Sequence, residues 1–260
     1  MTEVPPTIHS TTIGDSGRTV VFAHGLFGQG KNFTQAAKAL APEFRSVLVD
    51  LPDHGRSAWT ERFDYTAIAD TLATFLREGV AADGPIDLVG HSMGGMVVQK
   101  YLETHDAPGG VLVASVPPRG VIGVTLDIAR HRPGPFARAN ATWSLLPLVE
   151  DPQVARSMFY SDRLDEPTAL GYARRVQDEA YVAFLDMLAL DRPKPRRVSA
   201  PVLVVGGTQD TIFPPADAHA TATAYGTTAV MLDGAHNLML EPVWPELAQT
   251  IGNWLDRLPT

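Results

Sequence analysis

The sequence predicts an α/β fold, a doubly wound and mostly parallel sheet carrying a helical insertion, and three observations carry that prediction. Short apolar, β-branched runs alternate with helix-like segments along most of the chain. Such alternation implies right-handed crossovers between parallel strands. Most of the runs are apolar throughout rather than at every second residue, as strands buried on both faces require. The rhythm breaks once, over residues 117–200, where the pattern is helical and rich in proline.

In chain order, Thr7–Ile13 reads as an antiparallel edge and Thr19–His24 as the first buried strand. Helix Asn32–Leu40, strand Ser46–Leu51 and helix Tyr65–Glu78 follow, and then strand Ile86–Gly90 leads into helix Met93–Glu103. Gly110–Val116 is a strand before the insertion, and Pro201–Gly206 is the strand after it. Helix Pro215–Tyr225, strand Thr228–Leu232 and helix Pro245–Leu258 complete the pattern. Residues 1–116 and 201–260 therefore form the core. Residues 117–200 are too many for a simple crossover, and they read as a helical cap or lid over the strand ends. Its aromatics, Trp143, Phe159, Tyr160 and Phe184 among them, read as the lid's own core rather than as substrate contacts.

Composition removes several classes of function. A net charge of −8 argues against nucleic acid, whose binding rests on basic side chains neutralising phosphates. It argues equally against attachment to anionic lipid. The absence of cysteine excludes disulfides, a thiol nucleophile and cysteine-held metal. Met1–Ser10 carries neither a basic nor an apolar region, so no secretory signal is expected. No apolar run approaches the roughly 20 residues of a membrane span, so no integral membrane contact is expected either. The resulting expectation is a soluble cytoplasmic protein, its oligomeric state unspecified.

The chemistry concentrates at Gly90-His91-Ser92-Met93-Gly94-Gly95, between a strand and a helix. A G-x-S-x-G turn in that setting holds its serine in a strained conformation with the hydroxyl exposed. The two glycines are needed because side chains there would strike the neighbouring strand and helix. A serine hydroxyl needs a base to accept its proton and a carboxylate to orient that base. In this context they follow in the order Ser, Asp or Glu, His. Asp210 stands in the loop after strand Pro201–Gly206, and His236 follows strand Thr228–Leu232. Active sites of open α/β sheets lie at the carboxyl ends of the strands, where these loops converge. Asp233 is too near His236 along the chain to reach its far ring nitrogen, and Asp217 reads as a solvated helix residue.

The oxyanion of the tetrahedral intermediate needs preorganised donors. The backbone N–H of Met93, directly after the serine, supplies one; the other comes from His24-Gly25-Leu26-Phe27-Gly28, with Leu26 as the donor. The side chains of Leu26, Phe27 and Met93 would then line an apolar acyl pocket. A rival reading rests on Gly25–Asn32, close to the phosphate-binding G-x-x-x-x-G-K-[ST], with Asp50 imitating a Mg²⁺-binding aspartate. Position 32 is asparagine, which lacks the hydroxyl that ligates Mg²⁺. His54 has no second ligand at metal-site spacing and reads as a loop brace.

Taken together, these motifs resemble the α/β-hydrolase superfamily, in its esterase/lipase-like branch with a lid. Asp50-Leu51-Pro52-Asp53-His54-Gly55-Arg56-Ser57, Gly207–Pro215, and Glu241-Pro242 after His236 match that family's habits as well. The resemblance implies hydrolysis of a small-molecule ester with an apolar acyl group, through an acyl-enzyme, with no cofactor and no metal. Lactonases, thioesterases, carbon–carbon bond hydrolases and perhydrolases share the serine triad, and a non-catalytic binding module on the same fold is the remaining alternative.

Overall fold

Alternation along the strands decides what lies on each face of the sheet. In the computed structural model, which describes residues 8–52, 54–57, 65–80, 84–176, 181–185, 187–188 and 191–259, the strands are β1 (His9–Ile13), β2 (Arg18–Ala23), β3 (Phe44–Asp50), β4 (Ile86–His91), β5 (Gly110–Val113), β6 (Val202–Gly207) and β7 (Ala229–Leu232). Successive strand residues point to opposite faces. Val21, Val47, Leu88, Leu112 and Val204 accordingly join one apolar cluster, while Val20, Leu48, Val89, Val111 and Val205 join another.

The core helices are α1 (Thr34–Leu40), α2 (Tyr65–Phe75) and α3 (Met93–Leu102). The insertion contributes α4 (Ile122–His131), α5 (Pro133–Thr142), α6 (Pro152–Phe159), α7 (Glu166–Ala173) and α8 (Tyr181–Leu185). The core resumes with α9 (Pro215–Ala224) and α10 (Trp244–Leu255). Leu72 of α2, Val97 of α3 and Ala222 of α9 cover the first face; Ala37 of α1 with Leu247 and Ile251 of α10 cover the second.

Strand order is β1-β3-β2-β4-β5-β6-β7, with β1 antiparallel to β3 and all other pairs parallel. The expected edge is therefore present over His9–Ile13, and Thr7 lies outside the described residues. From β2 the chain steps to β3 on one side, then crosses to β4 on the other. Such a switch point opens a crevice at the carboxyl ends of the two strands, and His24-Gly25 and Ser92 emerge there.

Strand β5 ends three residues earlier than the sequence suggests. Ala114 has a φ of +40°, so the chain leaves the sheet, and Val116 N–H donates to Ser92 O at 3.1 Å. Asp217 is also not solvated: it is buried and ion-paired with Arg119. Within 117–200 no strand occurs among the described residues. Asp151 and Asp165 cap α6 and α7, accepting from Gln153 N–H at 2.9 Å and Thr168 N–H at 3.0 Å. Each helix then begins with proline in its first turn, where the missing N–H is harmless. The insertion has its own apolar cluster, including Leu145, Val149, Ala155, Phe159 and Ala169, packed against Leu26, Phe27 and Ile212 of the core.

Helix α3 passes close to the end of β2 at Gly94, where an added Cβ would lie 2.3 Å from Ala23 O and 2.4 Å from His24 O. Gly94→Ala is expected to destabilise the fold by about 3 kcal/mol, read by urea denaturation. Gly123, in α4, has open space where a Cβ would stand, with nothing within 4 Å. Gly123→Ala is expected to stabilise by about 0.5–1 kcal/mol. Equal effects would contradict the packing described.

Candidate active site

Ser92 occupies the turn from β4 into α3 with φ +51° and ψ −117°, a conformation that costs a non-glycine residue about 1–3 kcal/mol. The surroundings hold it there. Ser92 N–H donates to Val113 O at 3.1 Å, and Ser92 O accepts from Gly95 N–H at 3.0 Å. A Cβ on Gly90 would sit 2.3 Å from Gly94 O, and one on Gly25 would sit 2.7 Å from Ser92 Cβ. The glycine of the neighbouring loop is thus what lets that loop pass beside the serine.

The loops after β6 and β7 bring Asp210 and His236 together. His236 Nδ1 lies 2.9 Å from Asp210 Oδ2, and both side chains are buried. Asp210 Oδ1 accepts from the N–H groups of Ile212 at 2.8 Å and Phe213 at 2.9 Å. These donors fix the orientation of the carboxylate, whose other oxygen, Oδ2, faces His236 Nδ1. Asp233, set aside from the sequence, instead pairs with Arg163 at 2.5 Å and accepts from Gln209 at 2.8 Å.

Other histidines brace the site. His91 Nε2 lies 3.1 Å from His236 O, with ring centroids 4.8 Å apart. Burial, reinforced by the neighbouring His236, holds His91 well below the usual histidine range. His24 donates from Nδ1 to Gly25 O at 2.8 Å and accepts the Leu51 N–H on Nε2 at 3.0 Å. Burial, with His54 adding, pushes it down to about 3. His54 Nδ1 bonds Pro52 O at 2.7 Å, a loop brace as expected. Asp50 accepts from Gly30 N–H at 2.8 Å and Arg56 N–H at 3.0 Å, so the carboxylate of the nucleotide rival is engaged in loop structure. Asp53 of that motif lies outside the described residues.

A cavity of about 90 Å³ is lined by both Ser92 and His236. Its other walls are apolar: Leu26 and Phe27 from the loop after β2, Ile212 and Phe213 beside Asp210, and Leu145, Leu148, Met158, Phe159, Phe184 and Met187 from the insertion. Two sequence expectations change here. Met93 does not line the cavity; its side chain is fully buried in the core beneath the turn, because the first residue of α3 points back into the sheet. The insertion's Phe159 and Phe184 are cavity walls as well as core of the insertion. Met93 N–H is one of the first-turn donors for which a helix has no internal partner, and Leu26 lines the cavity from a loop where Phe27 has φ +59°.

Glu241 was legible only as a family match, and its contacts are specific. It is 1% exposed and accepts from Ala235 N–H and Ser161 N–H, each at 3.0 Å, and from the Ser161 hydroxyl. Asn237 N–H donates to Phe159 O at 3.0 Å. The loop that carries His236 is thereby tied to the insertion on both sides. Among the described residues no group of three or more His, Asp or Glu side chains is placed to hold a metal ion, and no helix is long and apolar enough to cross a membrane.

A sequence profile described as the Alpha/beta hydrolase family matches residues 20–248. The pimeloyl-[acyl-carrier protein] methyl ester esterase of Chromobacterium violaceum is 36% identical over 122 residues, 46% of this chain and 45% of that protein. The dihydrolipoyllysine-residue acetyltransferase component of the acetoin cleaving system of Cupriavidus necator is 32% identical over 240 residues, 88% of this chain. The chain thus spans 45% of the length of the first relative and 61% of the second. Among solved structures, a thermophilic esterase from Thermogutta terrifontis superposes with a TM-score of 0.75 at 23% identity, over 98% of this chain and 95% of that one. The enol-lactonase of Burkholderia xenovorans LB400 gives 0.76 at 20% identity, over 97% of each. These two structures share the fold.

The buried, neutral histidines set a pH dependence of stability. The folded pKa of His24 lies below its unfolded value, so its contribution is present above pH 6.5 and is lost as pH falls toward 3. His24→Gln keeps an acceptor for Leu51 N–H and removes the titration. The stability difference between wild type and His24→Gln is expected to shrink by about 2 kcal/mol between pH 7 and pH 5, measured by urea unfolding. A difference independent of pH would contradict a neutral buried ring.

Proposed function

The chain belongs to the alpha/beta hydrolase family, and from that premise we propose that it cleaves carboxylic esters with a small apolar acyl group through Ser92, His236 and Asp210. The observation that carries this reading is the buried 2.9 Å contact between His236 and Asp210 beside a cavity that Ser92 also lines. In this mechanism Ser92 Oγ attacks the ester carbonyl while His236 Nε2 takes the hydroxyl proton. Asp210 fixes the ring tautomer and stabilises the imidazolium. The N–H groups of Leu26 and Met93 receive the oxyanion. As the tetrahedral intermediate collapses, the carbon–oxygen bond to the alcohol breaks and His236 returns the proton to that oxygen. A water deprotonated by His236 then attacks the acyl-serine, and the acid leaves with Ser92 restored.

Cavity size supports the acyl assignment. The cavity is small, about 90 Å³, and its walls offer few polar groups beyond Ser92 and His236. Residues 117–200 serve as the lid in this reading, since Phe159, Phe184 and Met187 close the cavity from outside the core.

A series of p-nitrophenyl esters from acetate to palmitate, with Ser92→Ala as control, tests the proposal. Maximal kcat/KM is expected at short chains, with turnover lost in Ser92→Ala. A maximum at palmitate would overturn the acyl assignment, and turnover surviving in Ser92→Ala would overturn the nucleophile. Asp210→Asn is expected to lower kcat by about four orders of magnitude, the effect of losing the correct histidine tautomer. A loss below about tenfold would remove Asp210 from its role.

A further inference from the structure

A second cavity, of about 300 Å³, adjoins the first and shares Leu26, Phe27 and Phe159 with it. These three side chains form the wall between the two, with the rings of Phe27 and Phe159 meeting edge-on at 6.0 Å between centroids. The chambers differ in chemistry. The first is apolar around Ser92; the second is lined by Lys31 and Arg175 together with polar side chains such as Gln29, Asn32 and Asn237, and by no carboxylate among the described residues.

The chain as a whole carries a net charge of −8. Among the described residues neither Lys31 nor Arg175 forms an ion pair. They reach the chamber from different parts of the chain, Lys31 from the 3₁₀ turn Gly30–Phe33 of the core and Arg175 from the end of α7 in the insertion. Two cations with no acidic partner among the described residues, over a hollow of mixed polar and apolar lining, raise the local concentration of anions. Position relative to the reacting groups points the same way. Asn237, directly after His236, and His91, directly before Ser92, both line this second chamber.

We propose that the second cavity is the leaving-group subsite, and that the substrate's alcohol carries an anionic group, carboxylate or phosphate, held by Lys31 and Arg175. This rests on the ester-hydrolase reading above. The acyl group enters the apolar chamber, and the alcohol lies on the side of His236 where Asn237 faces the polar one. The wall formed by Phe27 and Phe159 separates the two ends of the ester.

Three matched esters test this: 4-(butanoyloxy)benzoate, 4-(butanoyloxy)phenyl phosphate and the neutral 4-(butanoyloxy)benzamide. Binding to Ser92→Ala is measured by titration calorimetry at low salt and at about 0.3 M salt. At least one anionic ester is expected to bind about tenfold tighter than the benzamide at low salt. The stronger of the two identifies the anionic group. That preference is expected to fall in high salt and to vanish in Ser92→Ala carrying Lys31→Met and Arg175→Met. Equal binding of all three, or a preference that survives the two substitutions, overturns the subsite. Turnover by wild type separates this from the underlying reading. Hydrolysis of the benzamide ester without anion preference sinks only the subsite. Salt-sensitive anion binding with no hydrolysis of any of the three sinks the hydrolase assignment and leaves the anion site standing.

Discussion

Everything at the site hangs on how closely β4 and α3 pass one another. Ser92 must turn the chain within one residue at φ +51°, and it does so only because Gly90 presents no side chain to the backbone of Gly94 and Gly95. Two further close approaches follow. Gly94 lies against the carbonyls of Ala23 and His24, and Gly25 lies against Ser92 itself. The turn after β2 and the turn after β4 are therefore fixed relative to each other by backbone contact rather than by side chains that can rotate. Backbone strain of this kind persists only where packing over-determines it, and the fully buried α3 supplies that packing.

Around this rigid turn lies a buried polar network in which nearly every member has a partner. Asp210 receives two backbone N–H groups and the His236 ring. His91 bonds the carbonyl of His236, and His24 uses both ring nitrogens on the backbone of neighbouring loops. Satisfied networks in a low-dielectric interior are stiff, because losing one partner strands a buried polar group. Glu241 extends the network outward by joining Ala235 to Ser161. The loop carrying His236 and the insertion that walls the cavity are consequently positioned together.

Much of this is legible in the sequence. Apolar runs buried on both faces identify six of the seven strands, and the glycine spacing around Ser92 identifies the turn, since both signals are local. The order Ser92, Asp210, His236 can be read because open α/β sheets place such loops at one edge. Less local features are not legible. Ala114 adopts a positive φ to bring Val116 to Ser92 O, and nothing in Ala114 itself signals that. Asp217 reads as a surface helix residue until Arg119, almost a hundred positions away, is seen beside it. Phe159 and Phe184 have the same character as any core aromatic, and only the placement of the insertion turns them into cavity walls. For Met93 the motif fixes the N–H but not the side chain, which is why the sequence alone points that side chain to the wrong side.

An activated Ser92 served by His236 should declare itself in covalent labelling. A fluorophosphonate probe followed by peptide mass mapping should place a single stoichiometric adduct on Ser92, formed at a rate that collapses in His236→Ala. An adduct on another residue, none at all, or labelling of Ser92 unchanged by His236→Ala would show that the serine is not activated in this way.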